Sequence, residues 1–345
     1  MITGVGISGM GRIGRLLVRK MMSGDTAHMQ LKAINSVYPA ETIAHLLKYD
    51  TVHGTWDANI SVHEGTMRIN GHPIAVTYQR EPEKIPWAEL DVDIAIDASG
   101  KFNHREGAQK HLASGATTVI VTAPGKQMDL TVVMGVNDHL LDLSKHSIIS
   151  AASCTTNCVA PLLHILDNAF QVKRGWMTTV HSYTSDQKHM DNPHKDLRRA
   201  RACTQSIVPT TTGVGKALAA VLPHLASRIE GISIRVPVQD VSLVDLTVQT
   251  GRDVRLEDVQ TALFTAANGA LSHYVGYTEE PLVSSDFIGC EKSAIIDGLS
   301  VMALGNQVKV LAWYDNEWAY ASRVIELAQN VSERMGNTWK TSLAL

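Results

Sequence analysis

The hydrophobic pattern changes character at about residue 152. Before it, short apolar runs alternate with helical spacing. Residues 1–7 read as a short strand. "RIGRLLVRKMMSGD" then sets Ile13, Leu16, Leu17 and Met21 on one helical face, with Gly24 and Asp25 ending the helix, and "MQLKAIN" reads as a second strand. With the turn "GMGRIG" between them, this is a strand–helix–strand unit. "DVDIAIDASG" and "TTVIVTAP" are further short apolar runs that end in small or polar residues, as parallel strands buried on both faces do. The helix-like stretch "HREGAQKHLASGA" lies between them. The pattern predicts an α/β fold whose first part, residues 1–152, is a doubly wound nucleotide-binding (Rossmann) domain.

From Cys154 on, "CVAPLLHILDNAF" has helical spacing, and "WMTTVHSYT", "ISIRVPVQDVSLVDLTVQT" and "QVKVLAWYD" are long β-rich runs suited to a mixed or antiparallel sheet. "VRLEDVQTALFTAANG" is a helix by its three- and four-residue apolar spacing. The segment "EWAYASRVIELAQNVSERM" aligns Trp318, Ala321, Val324, Ala328 and Val331 in one stripe, so it must dock on something. The expected second part is an α+β catalytic domain over 153–316, followed by a C-terminal helix over 317–345 that returns to the Rossmann domain. Residues 182–212 have little periodicity, and a loop that long inside a compact domain is usually functional or disordered.

Composition narrows the function. A chain of 345 residues exceeds one typical core, which agrees with two domains. Apolar residues make up 44% and charged residues 19%, ordinary for a soluble protein. A formal charge of -3 with no long charge run argues against nucleic-acid binding. The N-terminus has no apolar h-region, and no run approaches a membrane span, so no membrane partner is expected. Cys154, Cys158, Cys203 and Cys290 are too few for a disulfide framework, which points to the cytoplasm.

Gly9-Met10-Gly11-Arg12-Ile13-Gly14 fits G-x-G-x-x-G, and it follows a strand and opens a helix. In such a turn the first glycine permits the tight bend, the second lets backbone approach a pyrophosphate, and the third lets helix and strand pack. A carboxylate usually closes the second strand to hold the ribose 2′-hydroxyl. Here Asn35 and Ser36 stand there, and neither would repel a 2′-phosphate. That favours NADP tolerance or loss of strict NAD selectivity, so NADP is expected with NAD possible, unless another residue holds the ribose.

Cys154 sits in "SAASCTTNCVAP", at a helix start, where the dipole and free N–H groups lower a thiol pKa. It could be a nucleophile, a metal ligand, a redox partner or core. Cys158 is four residues on, so the two share a face, but two ligands do not make a zinc site and no matching pair is nearby; no metal is expected. Cys158 reads as core. His181 ends the strand "GWMTTVH", just before the long loop, and an imidazole there could stabilise a thiolate and move a proton. Spacing alone does not bring the two together.

"SCTTNC", "GMGRIGR", "HLLKYDTVHG", "TTVHSYTSDQ", "HKDLRRAR", "PTTTG", "RVPV" and "WYDNEW" occur in an order that resembles the phosphorylating glyceraldehyde-3-phosphate dehydrogenases over nearly the whole chain. "INSVYPAETIAHLLKYD" and "DNPHKDLRRARACTQSIVPTTTG" look most like the bacterial gluconeogenic, NADP-preferring branch. The resemblance implies that Cys154 is the nucleophile and His181 its proton acceptor. It implies substrate-phosphate contacts from Thr184, Asp186 and Arg235, and inorganic-phosphate contacts from Ser153, Thr155, Arg199, Thr212 and Gly213. It sets Arg12, Ile13, Ser99, Gly100 and Thr122 along the cofactor groove, with Asn316 orienting the nicotinamide amide and Tyr320 near that ring. The implied partners are glyceraldehyde 3-phosphate or 1,3-bisphosphoglycerate and inorganic phosphate, in a homotetramer. One arginine of "HKDLRRAR" is expected on ligand and the others in salt bridges across a subunit interface.

The chain departs from the family in places. NAD-specific members carry aspartate where Ser36 stands. Ser8, Ala151 and Ala319 replace the usual Asn, Asn and Gly near the cofactor groove. The nearest rival is erythrose-4-phosphate dehydrogenase, in which water resolves the thioester; that family tends to lose the pattern intact here at Thr210 to Gly213. A cysteine hydrolase would also use a Cys/His pair but has no need of the glycine turn. A binding protein on the same fold need not retain both Cys154 and His181.

Overall fold

The computed structural model describes residues 2–24, 26 and 28–342, with side chains described to residue 336. Asp25, expected to help end the first helix, lies outside the described residues. The chain divides into two compact units, one comprising residues up to 132, 138–152 and those from 321 on, the other 133–137 and 153–320.

The first unit is built on β1 (Thr3–Ser8), α1 (Arg12–Ser23), β2 (Met29–Asn35) and α2 (Ala40–Lys48). A small ribbon, β3 (Tyr49–Asp50) and β4 (Gly54–Thr55), precedes an antiparallel meander of β5 (Ile60–His63), β6 (Thr66–Ile69) and β7 (His72–Thr77). Then come β8 (Ile94–Asp97), α3 (Arg105–Ala113), β9 (Thr118–Val121), β10 (Leu130–Thr131) and β11 (Ile148–Ser150). The nine-stranded sheet runs β10-β11-β9-β8-β1-β2-β7-β6-β5, and β1 is parallel to both β2 and β8. Strand order therefore reverses at β1, where doubly wound sheets bind ligands beyond the strand C-termini.

The apolar runs "IAID" and "TVIV" are buried at every position, as their lack of alternation implied. Leu16, Leu17, Val18 and Met21 form the inner face of α1. Several elements had no reading from the pattern: α2, the β3–β4 ribbon, the meander that closes one sheet edge, β10 and β11.

The second unit opens with α4 (Cys154–Phe170), followed by β12 (Arg174–Ser182), β13 (Val208–Thr211) and α5 (Val214–Val221). It continues with β14 (Ile229–Val236), β15 (Ser242–Gln249), α6 (Leu256–Asn268), β16 (Val275–Thr278), β17 (Ala294–Asp297), β18 (Met302–Leu304) and β19 (Gln307–Tyr314). Its mixed sheet runs β13-β14-β12-β15-β19-β17-β16, with β18 on β19. The run "ISIRVPVQDVSLVDLTVQT", read as one β-rich stretch, is two strands that flank β12, one parallel to it and one antiparallel. Residues 237–241 carry the chain across the end of β12, where Tyr183 N–H donates to the Val238 carbonyl. That crossing sets Arg235 and Ser242 on either side of His181 and Ser182.

α7 (Trp318–Ser342) closes the fold, and the division between units falls inside it, between Tyr320 and Ala321. Ala321, Val324, Ala328 and Val331 are fully buried, and Ser332 Oγ donates to Thr3 Oγ1 at 2.7 Å. Among the described residues no helix is long and apolar enough to cross a membrane.

Candidate active site

In the first unit a cavity of about 450 Å³ opens at the sheet's reversal point, lined by Ser8, Gly9 and Gly11 after β1, Asn35 and Ser36 after β2, and Ala98 and Ser99 after β8. Gly9 has φ +99°, and a Cβ there would lie 2.5 Å from the Ser99 nitrogen. A Cβ on Gly14 would lie 1.9 Å from the Gly9 carbonyl oxygen, which is the close helix–strand packing the fingerprint requires. Gly11 is the N-cap of α1, has no side-chain cap, and faces open space where a Cβ would go.

The other groove residues have different surroundings. Arg12 forms an ion pair with Asp50 through both guanidinium NH₂ groups. Burial alone would raise Asp50, but Arg12 and the N–H groups of His53 and Val52 hold it down to about 2. Ile13 is half-buried on α1. Ser99 donates to Asp97 through its N–H and hydroxyl, Gly100 follows at φ +70°, and Thr122 Oγ1 donates to the Asp97 carbonyl. Asn35 is fully occupied in joining strands: it donates to Ser8 Oγ and the Gln79 carbonyl and accepts from Thr77 and Gln79 N–H. That leaves Ser36 as the polar group at the tip of β2. Sequence reasoning missed Arg80 and Lys101, which also line the cavity. Arg80 lies in "QREPEK", a loop with no periodicity to mark it.

In the second unit Cys154 is the first residue of α4, capped by Ser153, whose hydroxyl accepts the Thr156 N–H at 3.1 Å. Its Sγ is 3.6 Å from His181 Nε2. The pair is assembled because Cys154 opens α4, which lies on the sheet, and His181 is the next-to-last residue of β12. Cys158, one turn on, is fully buried. His181 Nδ1 lies 2.7 Å from the Ser182 carbonyl and 2.8 Å from Arg235 Nη1, which also donates to that carbonyl. The carbonyl calls for a proton on Nδ1; the guanidinium opposes it.

The electrostatics correct one expectation. A helix start predicts a lowered Cys154 pKa, but burial pushes the thiol up, against the pull of Arg235 and the Thr155 N–H. Burial likewise drives His181 down to about 3, with the Arg235 charge acting in the same direction. Desolvation outweighs a helix terminus because it acts on the whole charge.

Around the pair, Arg199 forms an ion pair with Asp186 and donates through Nε to Thr210 Oγ1 at 2.9 Å, and its charge reaches His181. Thr184 is half-buried in the same loop. Thr212 Oγ1 accepts from Val214 N–H, and Gly213 is the N-cap of α5 with no side-chain cap. Thr155 turns its hydroxyl to Tyr314 at 3.0 Å, away from solvent. Arg235 has a buried Nε with no hydrogen-bond partner. Asn316 Oδ1 accepts from Ser182 and Ser242, which fixes its amide, and Tyr320 is buried.

Within "HKDLRRAR", Arg201 pairs with Asp191 of its own loop at 2.9 Å, and Arg198 donates to the Pro209 carbonyl. Residues the sequence did not single out are Tyr314, which meets His181 edge-on at 6.0 Å, and Gln187, buried with neither amide atom hydrogen-bonded. Tyr314 lies inside "WYDNEW", so the motif carried it without revealing its contact.

Comparison with known proteins fits both halves. Residues 3–105 match the family described as glyceraldehyde 3-phosphate dehydrogenase, NAD binding domain, and residues 153–316 the corresponding C-terminal domain. The chain is 52% identical over 332 residues to glyceraldehyde-3-phosphate dehydrogenase 2 of Bacillus subtilis (strain 168), covering 96% of this chain and 97% of that protein. It is 49% identical over 331 residues to glyceraldehyde-3-phosphate dehydrogenase of Geobacillus stearothermophilus, covering 96% and 98%. On this evidence the chain belongs to the glyceraldehyde-3-phosphate dehydrogenase family and is an oxidoreductase of the phosphorylating aldehyde dehydrogenase type.

Proposed function

We propose that this chain is a cytoplasmic, phosphorylating glyceraldehyde-3-phosphate dehydrogenase that prefers NADP and works in the gluconeogenic direction, reducing 1,3-bisphosphoglycerate. The observation that carries the chemistry is the Cys154 Sγ at 3.6 Å from His181 Nε2, beside the guanidinium of Arg235.

A dinucleotide fits the first unit's cavity. The missing side chain at Gly11 leaves the approach to the α1 N-terminus open, and no side chain caps it. Gly9, Gly11, Arg12, Ile13 and Gly14 would hold the pyrophosphate, Ser99, Gly100 and Thr122 would flank it, and Asn316 and Tyr320 are assigned to the nicotinamide by the family resemblance. When bound, the cofactor supplies the two-electron acceptor or donor. NADP preference is supported by the charge of the cavity. Ser36, Arg15, Arg80 and Lys101 line it, and no carboxylate does among the described residues. A 2′-phosphate would meet cations and a hydroxyl, and nothing would repel it.

In the oxidative direction the Cys154 thiolate adds to the aldehyde carbon, giving a hemithioacetal. His181 Nε2 takes the hydroxyl proton as that carbon is oxidised to a thioester. Inorganic phosphate then attacks the thioester carbonyl and Cys154 leaves as thiolate. Reduction of the acyl phosphate retraces these steps. The orphaned Nε of Arg235 favours an anion there, with Thr184 and Asp186 beside it as the substrate-phosphate site. An anion that draws Arg235 off His181 Nδ1 leaves that nitrogen to donate to the Ser182 carbonyl and Nε2 free to accept a proton. Ser153, Thr155, Arg199, Thr212 and Gly213 would serve the attacking phosphate.

The assembly is a homotetramer in this reading. One face of the second unit's sheet is uncovered and exposes Trp176 (72%), Ile232 (53%) and Leu304 (81%), an apolar area that a second copy would bury.

Trapping tests the chemistry. Aldehyde and cofactor without phosphate should leave an acyl adduct on Cys154 by intact mass, which added phosphate removes. An adduct elsewhere, or one released by water as fast as by phosphate, would contradict the proposal; the latter would favour the erythrose-4-phosphate dehydrogenase reading.

A further inference from the structure

The first unit carries a buried polar chain that the chemistry above does not use. Trp87 Nε1 donates to His111 Nδ1 at 3.0 Å, and His111 Nε2 stands 3.2 Å from Asp97 Oδ2. The side chains of His111 and Asp97 are 0% and 1% exposed, and Trp87 is fully buried in an apolar cluster with Ile85 and Val92. The other carboxylate oxygen, Asp97 Oδ1, accepts from the Ser99 N–H at 2.8 Å and the Ser99 hydroxyl at 2.6 Å. Ser99 and Phe102 wall the dinucleotide cavity, and the Ser99 backbone is the surface on which Gly9 rests.

The order of donors follows from the groups. An indole N–H only donates, so Nδ1 is the acceptor and Nε2 carries the ring proton. Nε2–H then donates to Asp97 Oδ2. With one oxygen held from the core, the carboxylate cannot rotate, and its second oxygen fixes where the Ser99 turn lies. Packing alone does not call for this arrangement, since apolar groups of the same shape would fill the space without the desolvation of three polar ones. The chain ends at the cavity wall.

We infer that His111, its tautomer set by Trp87, is a positioning residue for the nicotinamide cofactor: it holds Asp97 so that the Ser99–Phe102 wall and the Gly9 turn meet at the spacing the dinucleotide needs. This rests on the reading of that cavity as the cofactor site.

The test compares Trp87→Phe, His111→Phe and His111→Gln in the full-length protein. Dissociation constants for NADPH are read by fluorescence well below each variant's melting temperature. Cys154 alkylation without cofactor serves as an independent readout. W87F and H111F should weaken NADPH binding about tenfold, the effect of one lost buried hydrogen bond, and H111Q, which keeps a donor for Asp97, should stay within about threefold of wild type. Alkylation rates should not change. A merely structural role would lower melting temperature and leave the dissociation constants alone, and wild-type binding by W87F and H111F would overturn the inference. If H111F does not fold, W87F decides by the same criterion. Gly11→Val separates the two levels, because Gly11 lines the cavity and a Cβ there meets no atom within 4 Å. If G11V binds NADPH like wild type, the cavity is not the cofactor site and the inference falls with that reading. If G11V loses binding while W87F keeps it, only the role of His111 falls.

Discussion

His181 and Arg235 are register partners on adjacent parallel strands, with Arg235 Nη1 2.8 Å from His181 Nδ1. Each sets the other's surroundings. Burial drives His181 down to about 3 and Arg235 reinforces it, while the same guanidinium opposes the upward push of burial on Cys154. Arg235 thus disfavours imidazolium and favours thiolate.

Arg235→Gln removes that charge and keeps a hydrogen-bond donor. The pH at which iodoacetamide alkylates Cys154 half-maximally should rise by about one unit or more, since each unit is about 1.4 kcal/mol. An unchanged midpoint would mean that Arg235 does not tune the thiol.

Two buried groups give stability opposite slopes with pH. His181 falls from an ordinary 6.5 to about 3, so between those values the unfolded chain binds a proton that the folded chain does not. Its contribution is complete above pH 6.5 and is lost as pH falls toward 3. Asp240 rises from 3.8 to about 9, through burial and then the charges of Asp315 and Glu317, so the folded chain keeps the extra proton. That contribution is complete below 3.8 and is lost as pH rises through 9. Asp240→Asn should therefore melt higher than wild type at pH 8, and His181→Gln should lose less stability than wild type between pH 7 and 4. Parallel melting curves across pH would contradict both assignments.

Ser36→Asp should lower kcat/KM for NADP at least about tenfold through repulsion of the 2′-phosphate and leave NAD within a few-fold. Arg80→Ala should weaken NADP by about 1.5–3 kcal/mol, the range for a hydrogen bond to a charged group. Equal effects on both cofactors would place the 2′-phosphate elsewhere.

The glycine turn makes a paired prediction. Gly14→Ala forces a Cβ to 1.9 Å from the Gly9 carbonyl, so α1 must shift, at about 1–3 kcal/mol. Gly11→Ala meets nothing within 4 Å and should cost no more than about 1 kcal/mol of cap preference. Thermal melts of the two variants in the opposite order would contradict the packing described.

Much of the first unit was legible because parallel strands buried on both faces leave unbroken apolar runs, as at Ile94–Asp97 and Thr118–Val121. The meander β5–β7 went unread although it was legible, in the alternation of Ile60/Val62, Met67/Ile69 and Ile74/Val76 and in the Asn70-Gly71 turn. In the second unit the break between Val236 and Ser242 was hidden, because both strands are β-rich and the crossing between them is short. Cys154 and His181 were each visible as types at element ends, but their meeting depends on the start of α4, which packs on β15, β17 and β19, reaching the end of β12. The raised thiol pKa was not visible, since burial is a property of the fold. Nothing in the sequence pattern marks Asp97, His111 and Trp87, and only their hydrogen bonds set them apart.

The most direct test follows nicotinamide absorbance with purified protein and glyceraldehyde 3-phosphate, using NAD or NADP, each with and without inorganic phosphate. The expected result is turnover that requires phosphate, is more efficient with NADP, and disappears in Cys154→Ala. Turnover indifferent to phosphate would contradict the phosphorolytic account and the roles given to Arg199 and Thr212. A strong preference for NAD would keep the cysteine chemistry and contradict the reading of Ser36 and Arg80.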